Sequence, residues 1–339
     1  MEYRVLGRSG VRVSRLCLGA MMFGGQADGA TSKRMIARAW DAGFNFIDTA
    51  DNYNAGRSEE VVGDAIAAQR HGWVLATKIA NPKPNGHPHE RGLSRKWIMQ
   101  GVDESLRRLR TDFIDVLYLH REDHATPFEV TVAALGDLIR VGKIRSFGLS
   151  NYRAWRIAAI CETCDRLNVD RPVACQPYYN AMNRMPEVEV IPASVHYGLG
   201  IVPYSPLARG VLTAKYATQA PPPADSRAGR GDKRMLESEW RPESLAIAHR
   251  IKGHAERSGT TAAHYAINWV LNNSAVTAAI VGPRTEEHLE DYIAALDYKF
   301  TADDEALVEE LVAKGHPSSP GYNDPSYPIE GRAAIVGEA

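Results

Sequence analysis

The chain is short of several things a specialised protein would advertise. It has no charge excess: 40 Lys and Arg face 41 Asp and Glu, a formal net of −1. A general nucleic-acid binder would show a basic surplus, so no nucleic-acid partner is expected. No apolar run approaches the roughly 18 residues that a membrane helix needs, so no membrane partner is expected either. Residues 1–10 carry no apolar core and no small-residue cleavage pattern, so no secretory leader is expected. Cysteine is scarce, with four in 339 residues. Cys161 and Cys164 form a single CxxC in a helical pattern, with no second pair to complete a zinc site. The expectation is reduced, buried thiols in a cytoplasmic protein, with no metal. A homo-oligomer is left open. The G-x-G-x-x-G fingerprint of a doubly wound dinucleotide fold is missing after the first strand-like run, where the chain reads Leu18-Gly19-Ala20-Met21-Met22-Phe23.

What is present is rhythm. A short hairpin pattern spans 5–13, turning through Gly7, Ser9 and Gly10. Eight short apolar runs follow, at 16–18, 44–47, 73–77, 113–119, 144–149, 173–176, 201–204 and 278–281. Helical patterns separate them, at 32–41, 58–68, 94–109, 127–141, 154–167, 187–197 and 243–271, with another at 286–295. Ser58 is a candidate N-cap, and Gly43 and Gly142 sit where left-handed C-terminal residues belong. Short, apolar, non-alternating strands fit parallel strands covered by helices. The whole chain, 1–339, therefore reads as one α/β domain, a (β/α)8 TIM barrel with an N-terminal hairpin. A long loop at 213–242 after the seventh strand is rich in Pro, Gly and charge, including Pro221-Pro222-Pro223. Its segment 217–234 suits neither strand nor helix. The tail at 315–339 reads as irregular.

In such a barrel chemistry gathers at the C-terminal strand ends. The second strand runs into Asp48, the third into Lys78 and the fourth into His120, with Tyr53 five residues past Asp48. Singly, each reads as rim decoration. Together they suit proton transfer to an oxygen that gains charge: Tyr53 as general acid, Lys78 lowering its pKa, Asp48 fixing Lys78, and His120 orienting a carbonyl. Zinc hydrolysis fits worse, because His120 and His124 sit in a loop and a third ligand is missing.

FNFIDTADNY, LATK, YLH, GLSN at 148–151, CQPYYN at 175–180 and PYSPLARGVL at 203–212 together resemble the aldo-keto reductase superfamily. With the LGRSG turn, the likeness is closer to the bacterial and potassium-channel β-subunit branches than to the aldose reductase branch. The resemblance spans nearly the whole chain. It implies NADPH-dependent reduction of a small-molecule aldehyde or ketone. It also implies NADPH lying across the barrel mouth, held by Gly19, Ala20, Asp48, Ser150, Asn151, Gln176, Tyr204, Ser205, Pro206, Leu207, Arg209 and Gly210. Lys215 and Arg227 would contribute from a loop folded over the cofactor. Gly282, Arg284, His288 and Asp291 would hold the adenosine 2′-phosphate end, with Arg284 as the cation. His288 and Tyr292 stand where many members carry other residues, which leaves NADH open as an alternative. Met21, Met22, Phe23 and Arg121 are expected at the substrate edge, with Tyr53 and His120. The channel-subunit likeness allows a second function: a nicotinamide-binding regulatory or interaction protein with little turnover.

Overall fold

The structure is a computed structural model that describes residues 1–83, 86–217, 221–224 and 226–329. Residues 330–339 of the expected tail, and residues 218–220 and 225 of the expected loop, lie outside it.

The hairpin forms as expected, with β1 (Tyr3–Val5) antiparallel to β2 (Arg12–Ser14). Then come β3 (Leu16–Gly19), α1 (Gly29–Asp41), β4 (Phe46–Asp48), α2 (Arg57–Ile66), β5 (Val74–Ile79) and α3 (Arg95–Leu109). The pattern continues through β6 (Ile114–Leu119), α4 (Phe128–Arg140), β7 (Ile144–Ser150), α5 (Ala154–Leu167), β8 (Ala174–Gln176), α6 (Val190–Tyr197) and β9 (Gly200–Ile201). The last part contains α7 (Lys233–Ser238), α8 (Pro242–Arg257), α9 (Ala262–Asn272), β10 (Ala279–Val281), α10 (Glu286–Ala294) and α11 (Ala302–Leu311). Eight parallel strands pair in the order β10-β3-β4-β5-β6-β7-β8-β9. Thr277 N donates to Ile201 O (2.8 Å) and Ile280 N to Pro203 O (2.9 Å), which joins the two ends into a (β/α)8 barrel.

The period-2 alternation of the strands sorts the core into two clusters. Phe46, Val74, Ala76, Val116, Tyr118, Ala174 and Val202 pack with Leu6 and Val13 of the hairpin inside the barrel. Ile47, Leu75, Leu117, Leu149 and Cys175 face outward against the helices. All four cysteines are free and buried. Gly7 (φ +53°) seats the hairpin turn on the barrel floor: a Cβ there would lie 2.4 Å from Val173 O.

Several local expectations change. The single helix at 243–271 is two, α8 and α9, because Gly259 turns left-handed (φ +73°) and Thr261 caps α9 by accepting from His264 N. Ser58 is not an N-cap; Gly56 (φ +92°) starts α2. The Ser58 hydroxyl is buried and donates instead to Ala20 O (2.7 Å), tying α2 to the end of β3. Part of 217–234 is helical after all: α7 begins at Lys233, capped by Asp232. One helix, α11, lacked a strong amphipathic signal; a reciprocal Thr301–Asp304 capping box starts it. The remaining residues to 329 contain no helix or strand.

The seam between β9 and β10 is short, and Arg15 reinforces its base. Its buried guanidinium donates to Val276 O (2.6 Å), Thr277 O (3.0 Å) and Leu271 O. Arg15→Met should remove the buried donor from these carbonyls, leaving Val276 O only its bond from Arg4 Nη1 (3.1 Å), and lower stability by about 3 kcal/mol. A urea midpoint equal to wild type would show that the seam does not need them.

Candidate active site

The strand alternation also selects the site. Asp48 follows inward-facing Phe46 by two residues, Lys78 follows Ala76, and His120 follows Tyr118. Ser150, Gln176 and Tyr204 take the same place after Gly148, Ala174 and Val202. Each is the next inward position after the packed interior, so six polar side chains meet above one apolar floor.

Lys78 is fully buried, and its ammonium has three acceptors. These are Asp48 Oδ1, Thr49 O (2.7 Å) and Tyr53 Oη (3.2 Å). The second Asp48 oxygen accepts from Gln176 Nε2 (2.9 Å). Tyr53 reaches this point because the chain after β4 folds into a tight turn at Tyr53–Gly56, in which Asn54 and Ala55 are left-handed. Its ring meets the His120 imidazole edge-on, with centroids 5.8 Å apart. Asn81 Nδ2 lies 3.0 Å from His120 Nδ1, and Asn151 Nδ2 donates to His120 O (2.8 Å). Tyr204 Oη donates to Asn151 Oδ1 (2.8 Å), and its ring stacks on Tyr178. The Tyr178 hydroxyl donates in turn to the buried Glu239.

Burial outweighs the other influences on the phenol. It pushes Tyr53 above its ordinary value; Lys78 pulls down and Asp48 pushes up. The expectation of a phenol acidified by Lys78 is therefore corrected: the ammonium is adjacent, but desolvation of the phenolate is larger. Burial alone would lower the Lys78 ammonium, yet Asp48 and Tyr53 prevail and its pKa rises. His120 is driven well below its usual value, first by burial and then by Lys78 and Arg121, so it is a neutral imidazole. With Asn81 donating to Nδ1, the imidazole proton sits on Nε2.

A cavity of about 410 Å³ opens over this group. Asp48, Tyr53 and His120 line it, while Lys78 stands behind them. Gly19, Ser150, Asn151, Gln176, Tyr204, Ser205, Pro206, Leu207, Arg209 and Gly210 line it as well. So do Lys215, Arg227, Gly282, Arg284, His288, Asp291, Met21 and Met22. Three expected residues do not. Ala20 is buried, with its carbonyl bonded to Ser58. Phe23 packs in the outer core. Arg121 is exposed and outside the lining. Asn52, Asn81, Gln26 and Tyr327 line the cavity unforeseen. Asn81 had a signal, being three residues past Lys78. Tyr327 had none, since it arrives from an irregular segment. Among the described residues no group of three or more His, Cys, Asp or Glu is placed to hold a metal ion.

The cavity chemistry suits a phosphorylated dinucleotide. Its lining carries Arg209, Lys215, Arg227, Arg230, Arg234 and Arg284. Arg209 Nε lies 3.9 Å from Glu239 Oε1 without a hydrogen bond, so a buried guanidinium N–H remains to be used.

A second buried carboxyl lies just behind. Asp51 makes no ion pair and no side-chain hydrogen bond among the described residues. Burial, then the neighbouring Glu59, push it up to about 7, against the pull of Arg108 and Lys83. Its folded value lies above the ordinary 3.8, so the folded state holds this proton more tightly. Stability from this group is full below about pH 4 and is lost as pH rises through about 7. Asp51→Asn should therefore gain thermal stability on wild type between about pH 5 and about pH 8. A difference in Tm that is flat across that window contradicts the assignment.

Comparisons with known proteins identify the family. The aldo/keto reductase family model matches residues 15–313. A rice (Oryza sativa subsp. japonica) protein named probable voltage-gated potassium channel subunit beta is 38% identical over 303 residues, covering 88% of this chain and 92% of the relative. A Bacillus subtilis (strain 168) protein named uncharacterized oxidoreductase YrpG is 37% identical, covering 88% of this chain and 91% of its own length. Versiconal hemiacetal acetate reductase of Aspergillus parasiticus is 33% identical, covering 91% of this chain and 96% of its own length. With a family model matched over most of its length and relatives aligned nearly end to end, this chain belongs to the aldo/keto reductase family.

Proposed function

We propose that the chain is an NADPH-dependent oxidoreductase that reduces aldehydes or ketones to alcohols, with Tyr53 as general acid. Family membership and the two relatives named for oxidoreductase activity support an oxidoreductase. The single observation that carries the finer reading is the cluster Asp48–Lys78–Tyr53 beside a neutral His120, all on one cavity.

A nicotinamide dinucleotide, when bound, supplies the hydride. The residues then divide the remaining work. Tyr53 Oη accepts from Lys78, so its own hydroxyl hydrogen is directed elsewhere, toward the cavity. His120 offers Nε2–H to the substrate oxygen and fixes its orientation. As negative charge develops on that oxygen, Tyr53 donates its proton, and the phenolate left behind faces the Lys78 ammonium. Asn151 and Gln176, which line the cavity, would hold the ring carboxamide, and Tyr204 would offer an aromatic face. Arg209 and Lys215 would serve the pyrophosphate, and Arg284 would serve the 2′-phosphate that separates NADPH from NADH. From the described part of the expected loop, Lys215 and Arg227 line the cavity and would lie over the cofactor.

The relatives named as potassium channel subunits favour a second reading, a nicotinamide-binding regulatory protein with little turnover. Adding 4-nitrobenzaldehyde to protein and NADPH separates the two. The enzyme reading expects NADPH absorbance to fall. Tyr53→Phe should cut kcat by about 10²- to 10⁴-fold while cofactor still binds. Undiminished turnover in that variant removes Tyr53 from its role. Arg284→Ala should weaken NADPH about tenfold and leave NADH nearly unchanged. Equal losses for both cofactors would place the 2′-phosphate elsewhere.

A further inference from the structure

Two segments far apart in sequence close over the cavity. One is the flap at 226–234. Arg227 Nη2 reaches Met22 Sδ (4.0 Å) and Arg230 Nη2 reaches Gln26 Oε1 (3.3 Å), both in the loop after β3. The flap therefore bridges the mouth from that loop to α7. The other is the distal tail at 323–329, which brings Tyr327 to the cavity wall. Arg121, Asp324, Arg234 and Arg209 are the charges that face the Tyr327 phenol.

The tail is anchored in two stages. Its first part is held independently of the flap. Ser318 N donates to Met182 O (2.8 Å), Arg241 Nε to Ser319 Oγ (2.9 Å), and the Arg241 guanidinium lies 3.9 Å over the Tyr322 ring. The distal part has fewer ties. Arg153 Nη2 donates to Pro328 O (2.7 Å), and Asn323 bonds locally. Among the described residues, another tie runs to the flap end: Arg234 grips Asp324 with two parallel bonds, Nη1 to Oδ1 (2.9 Å) and Nη2 to Oδ2 (2.6 Å). Arg234 Nη1 also reaches Ser326 Oγ (2.9 Å). The Asp324 side chain is only 14% exposed, so the pair is weakly screened. A bidentate guanidinium–carboxylate pair fixes direction as well as distance.

We propose that the Arg234–Asp324 pair is a clasp that couples the flap to the distal tail, so that seating one orders the other. Resting on the reading of the cavity as a nicotinamide site, the clasp makes cofactor and substrate binding mutually dependent. A cofactor that favours the seated flap holds Arg234 in place, Arg234 holds Asp324, and Tyr327 then stands in the substrate wall. Reciprocity follows, because the coupling free energy is shared by both ligands.

The test is amide hydrogen exchange on the full chain, with and without NADPH, for wild type, Asp324→Asn and Asp324→Glu. In wild type NADPH should slow exchange in both 226–234 and 323–329. In Asp324→Asn it should bind within about twofold of wild type and protect the flap, yet no longer protect the tail. Asp324→Glu keeps the charge and should keep the transfer of protection. The KM for an aldehyde should rise about fivefold in Asp324→Asn, with kcat nearly unchanged. Tail protection that persists in Asp324→Asn overturns the clasp, as does its absence from wild type that binds NADPH. A wild-type protein that binds no NADPH fails the functional reading instead. The clasp is then judged without ligand: Asp324→Asn should raise exchange in flap and tail together, and a rise confined to the tail overturns it.

Discussion

A lysine ammonium with no exposed surface is the constraint around which the barrel mouth is arranged. Removing such a charge from water costs several kcal/mol unless partners answer it. Lys78 has three N–H donors, and the fold supplies one acceptor for each: a carboxylate, a carbonyl and a phenol. None of the three is positioned independently. Asp48 is fixed from the other side by Gln176, and Thr49 continues the barrel ladder by donating its N–H to Ala76 O (2.9 Å). Tyr53 N donates to Ala50 O, which turns the chain back toward Lys78. The chemistry and the local fold are one network. Asp48→Asn would therefore disturb both, through an unanswered charge rather than a lost contact.

The direction of the Tyr53 shift refines what this network does. Ammonium and burial oppose each other at the phenol, and burial is larger. A phenol that stays protonated is the form that donates to an oxygen gaining charge. A neutral His120 likewise offers a hydrogen bond without adding a positive charge beside Lys78. In the proposed reaction the adjacent ammonium would matter mainly once a phenolate exists, by lowering the energy of the charged product of proton transfer. That contribution would be made where charge develops, not in the resting protein.

How much of this was legible in the sequence depended on distance along the chain. The eight strands, the hairpin and the strand-end residues Asp48, Lys78 and His120 could be read, because period-2 burial and short βα spacing are local patterns. The split between α8 and α9 was missed because both helices are apolar enough to look continuous across Gly259. Ser58 was misread because a serine before an apolar run caps helices by default, whereas here its hydroxyl turns inward to Ala20 O. Phe23 and Arg121 were expected at the substrate edge, and packing sends one into the core and the other to solvent. Tyr327 and Glu239 could not be found at all. Their contacts to the mouth depend on how irregular segments return across the barrel, which no local pattern records.

Backbone conformation marks the same rim. Among the described residues, ten non-glycine residues have positive φ. Arg110 and Asn168 end helices, where that geometry is ordinary. Ser205, Ala208 and Arg209, followed by Gly210, adopt it within six residues of the segment after β9 that lines the cavity. Each non-glycine case costs about 1–2 kcal/mol, and helix ends do not explain these. The surrounding structure holds them: buried Asn180 donates to Ser205 O (3.0 Å), and Gly210 N and Leu212 N both return to Leu207 O. A relaxed backbone would have lain flatter. The strained one turns away from the regular strand direction just above the inward-facing Tyr204. It thereby brings Arg209, whose Nε has no hydrogen-bond partner, to the cavity lining where a phosphate would sit. The rim sacrifices local stability for an anion-receptive surface, and the ladder and core beneath it make that conformation persist.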